Sequence, residues 1–197
     1  MKITIEHPFH VRCHDLRGLL TGCNKISTFC SRLEKQSALH PNRYDPDKYK
    51  GDGLELLTEV LIKLSPVDNR IGVRDYAPVL QDDTGVDGVG VGANGQPATV
   101  QVKYRSNATS VLTANKDHLS NFIAASQNRY KVGLEDAQNM LVITTAEGLH
   151  HFTESEMLYG KVRCLGYRQL RELLDNNDCF WELFRRAVDI SESSADN

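Results

Sequence analysis

The sequence predicts a mixed α/β fold, a mixed β-sheet flanked by helices, and three observations carry that prediction. Leucines recur at three- and four-residue spacing from Leu54 to Leu64, β-branched residues then alternate through residues 71–104, and a wholly apolar run begins at Met140 after a second amphipathic stretch. A helical period, a period of two, and a short continuous apolar run in succession describe a sheet with helices against it.

Residues 1–50 hold three of the five cysteines and four of the seven histidines. Pro41 and Pro46 interrupt the polar stretch from His40 to Lys50, so this segment reads as an N-terminal extension, a short strand or helix followed by an extended arm. The main domain is expected over residues 51–190. It opens with a helix carrying Leu54, Leu57, Leu61 and Leu64, with Asp52 as N-cap and Ser65-Pro66 as its stop. Glu55 and Glu59 are four residues apart and share a stripe beside the leucines, where Glu59 reads as a helix-surface carboxylate. Strands are expected at Ile71–Leu80, Val86–Val91 and Ala98–Tyr104, the last two joined in a hairpin by the Gly92–Gly95 turn. A helix from Ala114 to Asn128 turns Leu119, Phe122 and Ile123 inward. The strand Met140–Thr145 is apolar enough to lie mid-sheet, covered on both faces. Thr153–Glu156 fits a capping box, Val162–Leu165 a further strand, and residues 167–175 and 179–188 two closing helices. Phe180 and Trp181, with Leu183, Phe184 and Val188, read as core packing on the last of these. Residues 191–197 are small and acidic and read as a frayed, flexible tail.

Composition excludes more than it identifies. The 197 residues, 40% hydrophobic and 25% charged, suit one globular domain. With 23 Lys plus Arg against 26 Asp plus Glu, the net charge of -3 does not point to nucleic acid, so any phosphate-binding face must be local. An odd, sparse set of cysteines favours a reducing compartment, the cytoplasm, nucleoid or nucleus rather than secretion. No run approaches the ~18 apolar residues of a membrane span.

The chemistry concentrates in the hairpin. Gln101 and Lys103 are two apart on one strand and so share a face. Pairing across the turn brings Asp87 opposite them, and Glu55 on the preceding helix adds a second carboxylate. These are the groups that metal-assisted phosphodiester hydrolysis needs. The oxygens of Asp87, Glu55 and the Gln101 amide, with the Val102 carbonyl, suit Mg2+, with Mn2+ as a substitute. Lys103 would orient or help deprotonate the attacking water and offset charge in the transition state.

Glu55 on its helix, Gly85-Val86-Asp87-Gly88, a glycine-rich turn, and Val100-Gln101-Val102-Lys103-Tyr104-Arg105 together resemble the PD-(D/E)xK nuclease superfamily. Its core is the restriction-endonuclease-like αβββαβ arrangement. Gln in place of the second acidic residue is most similar to the Mrr-type restriction endonucleases, which also lack a proline before the aspartate. The resemblance covers roughly residues 50–150. It implies that Asp87 is the main metal ligand, Gln101 stands at the second ligand position, Lys103 is the catalytic lysine and Glu55 the helix carboxylate. It further implies a Mg2+-dependent DNA endonuclease of restriction or defence type, acting as a homodimer or within a larger nuclease or helicase assembly. A structure-selective nuclease of the Holliday-junction type is the alternative within the same chemistry. A catalytically inactive DNA- or partner-binding module is the alternative outside it, kept open by the neutral Gln101.

Other residues are weighed beside these. Tyr104, Arg105 and Ser106 follow Lys103 directly and suit phosphate contacts, as does Lys116, with His118, at the next helix. Arg32, Lys35, Arg43, Lys48 and Lys50, interleaved with Tyr44 and Tyr49, form a modestly basic arm. His7, His10, Cys13, His14, Cys23 and Cys30 suggest zinc but match no paired-ligand spacing. Gly85, Gly88 and Gly90 around Asp87 suggest bulges or close approach of a ligand backbone. His150-His151 reads as a loop pair.

Overall fold

The computed structural model describes residues 3–13, 15–39, 44–65, 68–80, 85–113, 119–150 and 161–195. The first departure from the sequence reading is at the N-terminus. Instead of an irregular arm, the chain forms helices α1 (Phe9–Arg12), α2 (Leu16–Leu20) and α3 (Ile26–Leu39). Phe9, Leu16, Leu19, Leu20, Ile26, Phe29 and Leu33 are buried in the same apolar cluster as Leu54, Leu57 and Leu61. Their spacing is helical, with the cysteines and histidines of the segment set between them.

Helix α4 (Pro46–Leu64) begins seven residues before the predicted start. Pro46 does not break it, because a proline in the first turn occupies a position whose N–H has no helical partner. The cap is Asp45, which accepts from the Lys48 N–H at 2.8 Å. Asp52 and Gly53 therefore lie inside the helix, and Gly53 has a packing reason to be there. A Cβ at that position would stand 2.5 Å from a Leu33 methyl, so the glycine lets α3 lie close on α4.

The sheet follows the sequence reading closely. Strands β1 (Val73–Pro78), β2 (Gly88–Gly92) and β3 (Pro97–Lys103) form an antiparallel meander. Two further strands, β5 (Met140–Thr144) and β7 (Arg163–Leu165), extend it in parallel, giving the order β1-β2-β3-β5-β7. A small parallel pair, β4 (Val111–Leu112) and β6 (Gly148–Leu149), stands apart. Every residue of β5 is buried; Leu141 and Ile143 join the core on the α4 side, while Met140 and Val142 join the cluster under α5 (Leu119–Asn128). β3 alternates likewise, with Ala98, Val100 and Val102 toward α4 and Thr99 bonded to Ser126 of α5 at 2.8 Å. The mixed α/β class, a five-stranded mixed sheet flanked by helices, is thus present.

Helices α6 (Tyr167–Leu174) and α7 (Asp178–Ala195) close the α4 side. Trp181 is wholly buried there, donating from Nε1 to the Leu174 carbonyl at 2.7 Å. The tail predicted to fray from Ser191 is helical through Ala195. The capping box at Thr153–Glu156, and the predicted helix start at Ala114 with Lys116 and His118, lie outside the described residues. Among the described residues no helix is long and apolar enough to cross a membrane.

The glycines near Asp87 are accounted for within the fold. A Cβ on Gly88 would meet the Tyr76 ring at 2.2 Å, so the close approach is by the protein's own side chain. The bulge lies across the sheet in β1, where register shifts between Arg74 and Ala77.

If the N-terminal helices are part of the core, Phe9→Ala loses about 3–4 kcal/mol in urea unfolding, the cost of deleting a buried aromatic ring. A loss under about 0.5 kcal/mol, usual for an exposed position, would mean that the segment is a detachable arm.

Candidate active site

The site forms where the β2–β3 ladder ends. Asp87 stands just before β2; its N–H donates to the Val100 carbonyl at 2.9 Å and its Oδ2 accepts the Val102 N–H at 2.6 Å. The strand edge thus holds the carboxylate in place. Lys103 is the last residue of β3, so its side chain leaves the sheet beside Asp87. Glu55 comes from α4. Asp87, Glu55, Val102 and Lys103 line one open cleft of about 400 Å³ with Asp47, Lys50, Gly51, Tyr104, Arg105 and Ser106.

One sequence candidate among the described residues, Gln101, is not brought to this cleft. Lys116 lies outside the described residues. Gln101 is wholly buried and does not line the cleft. It points to the α5 side, near Gly85, whose added Cβ would lie 3.1 Å from the Gln101 Nε2. Neither amide atom of Gln101 has a hydrogen-bond partner among the described residues. It shares a face with Lys103, as the spacing requires, but the residue at the strand end emerges and the one two positions earlier stays inside.

Tyr104 and Arg105 are partly committed to the protein. The Tyr104 hydroxyl donates to Glu34 at 2.9 Å, with Lys50 5.8 Å over its ring. Arg105 donates from Nη1 to the Tyr104 carbonyl at 2.7 Å. The basic arm is also engaged: Arg32 donates to the carbonyls of Gly18, Leu19 and Thr21, capping the end of α2, and Lys48 and Lys50 pair with Asp52 and Asp47.

The structure adds residues that the sequence reading assigned elsewhere. His7 Nε2 lies 2.9 Å from Glu55 Oε2, and the imidazole is buried. Asp52, read as the helix N-cap, is buried beside them, accepting from the Tyr44 hydroxyl and, at 3.3 Å, from Lys48. His7, Asp52 and Glu55 offer ligand atoms within 4.8 Å of one another. No spacing rule would have found this group, because His7 and Glu55 are 48 residues apart. Glu59 corrects a second expectation: it is fully buried, not on the helix surface. The zinc reading finds no support among the described residues. His10 Nδ1 lies 2.6 Å from the His7 carbonyl and Cys13 Sγ 3.0 Å from the Tyr49 hydroxyl, so they do not converge. Burial pushes the Cys30 thiol up to about 12 and raises Cys23 as well, which keeps both protonated.

Electrostatics single out Asp87. Burial, and then the Glu55 charge, push its carboxyl up to about 7, against the Val102 N–H, Lys103 and His7, which favour the ionised form. Burial and Glu55 likewise push Asp52 up to about 6. Beside Glu55, the Asp87 carboxyl at the cleft is costly to ionise, and a proton or a cation relieves that cost. The hard oxygens of Asp87 and Glu55, with the main chain of Val102, are the donors that Mg2+ or Mn2+ accepts.

Comparison with known proteins finds no family model, no curated protein and no solved structure that matches the chain.

The raised Asp87 carboxyl makes a signed prediction. Its folded value lies above the ordinary ~3.9, so its stabilising contribution is complete below that value and is lost as pH rises through about 7. Asp87→Asn, which keeps an acceptor for the Val102 N–H, is therefore more stable than the parent at pH 8, by roughly 1–3 kcal/mol for this partly open group. The two match near pH 4. Urea titrations without divalent metal check this; an equal difference at both pH values contradicts it.

Proposed function

We propose that the chain is a divalent-metal-dependent deoxyribonuclease that hydrolyses phosphodiester bonds by activated water, without a covalent enzyme intermediate. The observation that carries this reading is Asp87, bonded to the Val102 N–H beside Lys103 and sharing one cleft with Glu55. With the separate strand β4 left aside, the order α4, β1, β2, β3, α5, β5, with Glu55 on α4, Asp87 just before β2 and Lys103 at the end of β3, supports the resemblance to the restriction-endonuclease-like core.

Asp87, Glu55 and the Val102 carbonyl are the groups that would hold Mg2+. When bound, the ion supplies Lewis acidity and lowers the pKa of water. Lys103, in the cleft with Asp87, would orient the attacking water and offset the charge that builds on the phosphoryl oxygens. Arg105 and Ser106, further along the cleft wall, suit the neighbouring phosphates and set the register of the strand. Gln101 drops out of the ligand set, since its amide does not reach the cleft. Duplex or junction cleavage by this one-site chain points to a homodimer or a larger nuclease assembly. The odd, sparse set of five cysteines favours a reducing compartment, the cytoplasm, nucleoid or nucleus.

A second reading rests on Gln101. With its amide buried behind the cleft, two carboxylates must hold the ion without the second ligand on β3. A site too weak for metal would leave a DNA- or partner-binding module of the same fold.

The test is cleavage of plasmid and of a four-way junction with Mg2+ or Mn2+. Asp87→Ala and Lys103→Ala each abolish cleavage, by at least ~100-fold, with the circular dichroism spectrum unchanged, and EDTA does the same to the parent. Full activity in either variant overturns the catalytic assignment. Heat-silent calorimetry at millimolar metal, together with retained DNA binding, selects the module instead.

A further inference from the structure

Two carboxylates of α4, one turn apart, grip the N-terminal segment at a single point. Glu59 accepts the Glu6 N–H at 2.7 Å and the His7 N–H at 2.9 Å. Lys63 closes the clamp, donating to Glu59 and Glu6 at 2.7 Å and to the Thr4 carbonyl at 2.9 Å. The main chain at His7 is thereby fixed to the helix, and its ring lies one turn away, against Glu55.

The hydrogen bonds decide what that ring does. His7 Nδ1 accepts the Phe9 N–H at 3.3 Å, so it presents a lone pair and the ring hydrogen is on Nε2. Nε2–H faces Glu55 Oε2 at 2.9 Å, with the His7 side chain 6% exposed, so little water competes for the contact. A ligating role would need the opposite tautomer: a lone pair on Nε2 and a hydrogen on Nδ1, set against the Phe9 N–H. Asp52 is equally committed, to Tyr44 and Lys48. The His7, Asp52 and Glu55 group is therefore an orienting network rather than a cage for an ion.

We infer that His7 is a positioning residue for the metal site, donating Nε2–H to Glu55 Oε2 and turning Oε1 to the cation. This rests on the nuclease reading of the cleft. Partners that orient a ligating carboxylate commonly govern metal affinity about 10- to 100-fold.

Two amide replacements separate positioning from packing. The Gln side-chain amide reaches the place of Nε2 and restores the donor to Glu55, whereas Asn reaches only the place of Nδ1 and restores the acceptor for Phe9. Mn2+ is titrated calorimetrically into the full chain and its His7→Gln, His7→Asn and His7→Ala variants. Asn and Ala weaken Mn2+ binding about 10-fold or more, while Gln stays within about 3-fold of the parent. The half-saturating Mg2+ for cleavage follows the same order. Asn matching or exceeding Gln, or all three variants binding like the parent, overturns the positioning role and leaves the nuclease reading standing. A parent chain that binds neither Mg2+ nor Mn2+ overturns the metal-site reading and this role with it. Nitrogen NMR of 15N-histidine-labelled protein gives an answer independent of metal: the hydrogen on Nε2 supports the inference, and on Nδ1 refutes it.

Discussion

The structure is organised around one buried charge. Glu59 has no solvent exposure, and an ionised carboxylate in such a place is tolerable only when its oxygens are fully engaged. Here the partners are two consecutive main-chain N–H groups and the Lys63 ammonium. That choice of partners has architectural consequences. Because the donors are backbone atoms of residues 6 and 7, the carboxylate fixes where the chain enters the fold, and Phe9 and the helices after it pack over α4 and α7 from that point. Removing the carboxylate would orphan both main-chain donors at once and take one of the three acceptors of Lys63, which is why this contact outranks any single apolar pair.

The site inherits its geometry from two such terminations. At one side the antiparallel ladder of β2 and β3 stops at Gly88 and Val100, and the next free strand N–H, that of Val102, is taken by Asp87. At the other side α4 offers Glu55 a turn before Glu59, so the same clamp that seats the N-terminal segment seats the histidine behind Glu55. Charge then accumulates at the mouth of the cleft by construction. Backbone hydrogen bonding holds Asp87 in place while burial and Glu55 oppose its ionisation, a combination that clusters at functional sites.

What the sequence revealed followed from periodicity. The meander, the Gly92–Gly95 turn and the central apolar strand β5 were legible because strict alternation and a short continuous apolar run arise in few settings other than a sheet. Asp87 and Lys103 were legible through their strand positions. Gln101 was misread because period two tells which face a residue shares, not how deep it lies along the strand. The first 50 residues were misread for a compositional reason: helical spacing at Leu16, Leu19 and Leu20 was short and set among histidines and cysteines, and Pro46 resembled a breaker where it is a helix opener. His7, Glu59 and Asp52 belong to the tertiary fold alone, since their partners are distant in sequence or depend on α4 starting at Pro46.

We propose a divalent ion held beside Lys103 by Asp87, Glu55 and the Val102 carbonyl. A crystal structure of the full chain soaked in Mn2+, with the ion located by its anomalous scattering, tests it most directly. One ion is expected in contact with Asp87, Glu55 and the Val102 carbonyl, with His7 still bonded to Glu55 and outside the coordination shell. An ion held by His7 and Asp52, or a cleft that takes up no Mn2+ at millimolar concentration, would contradict it.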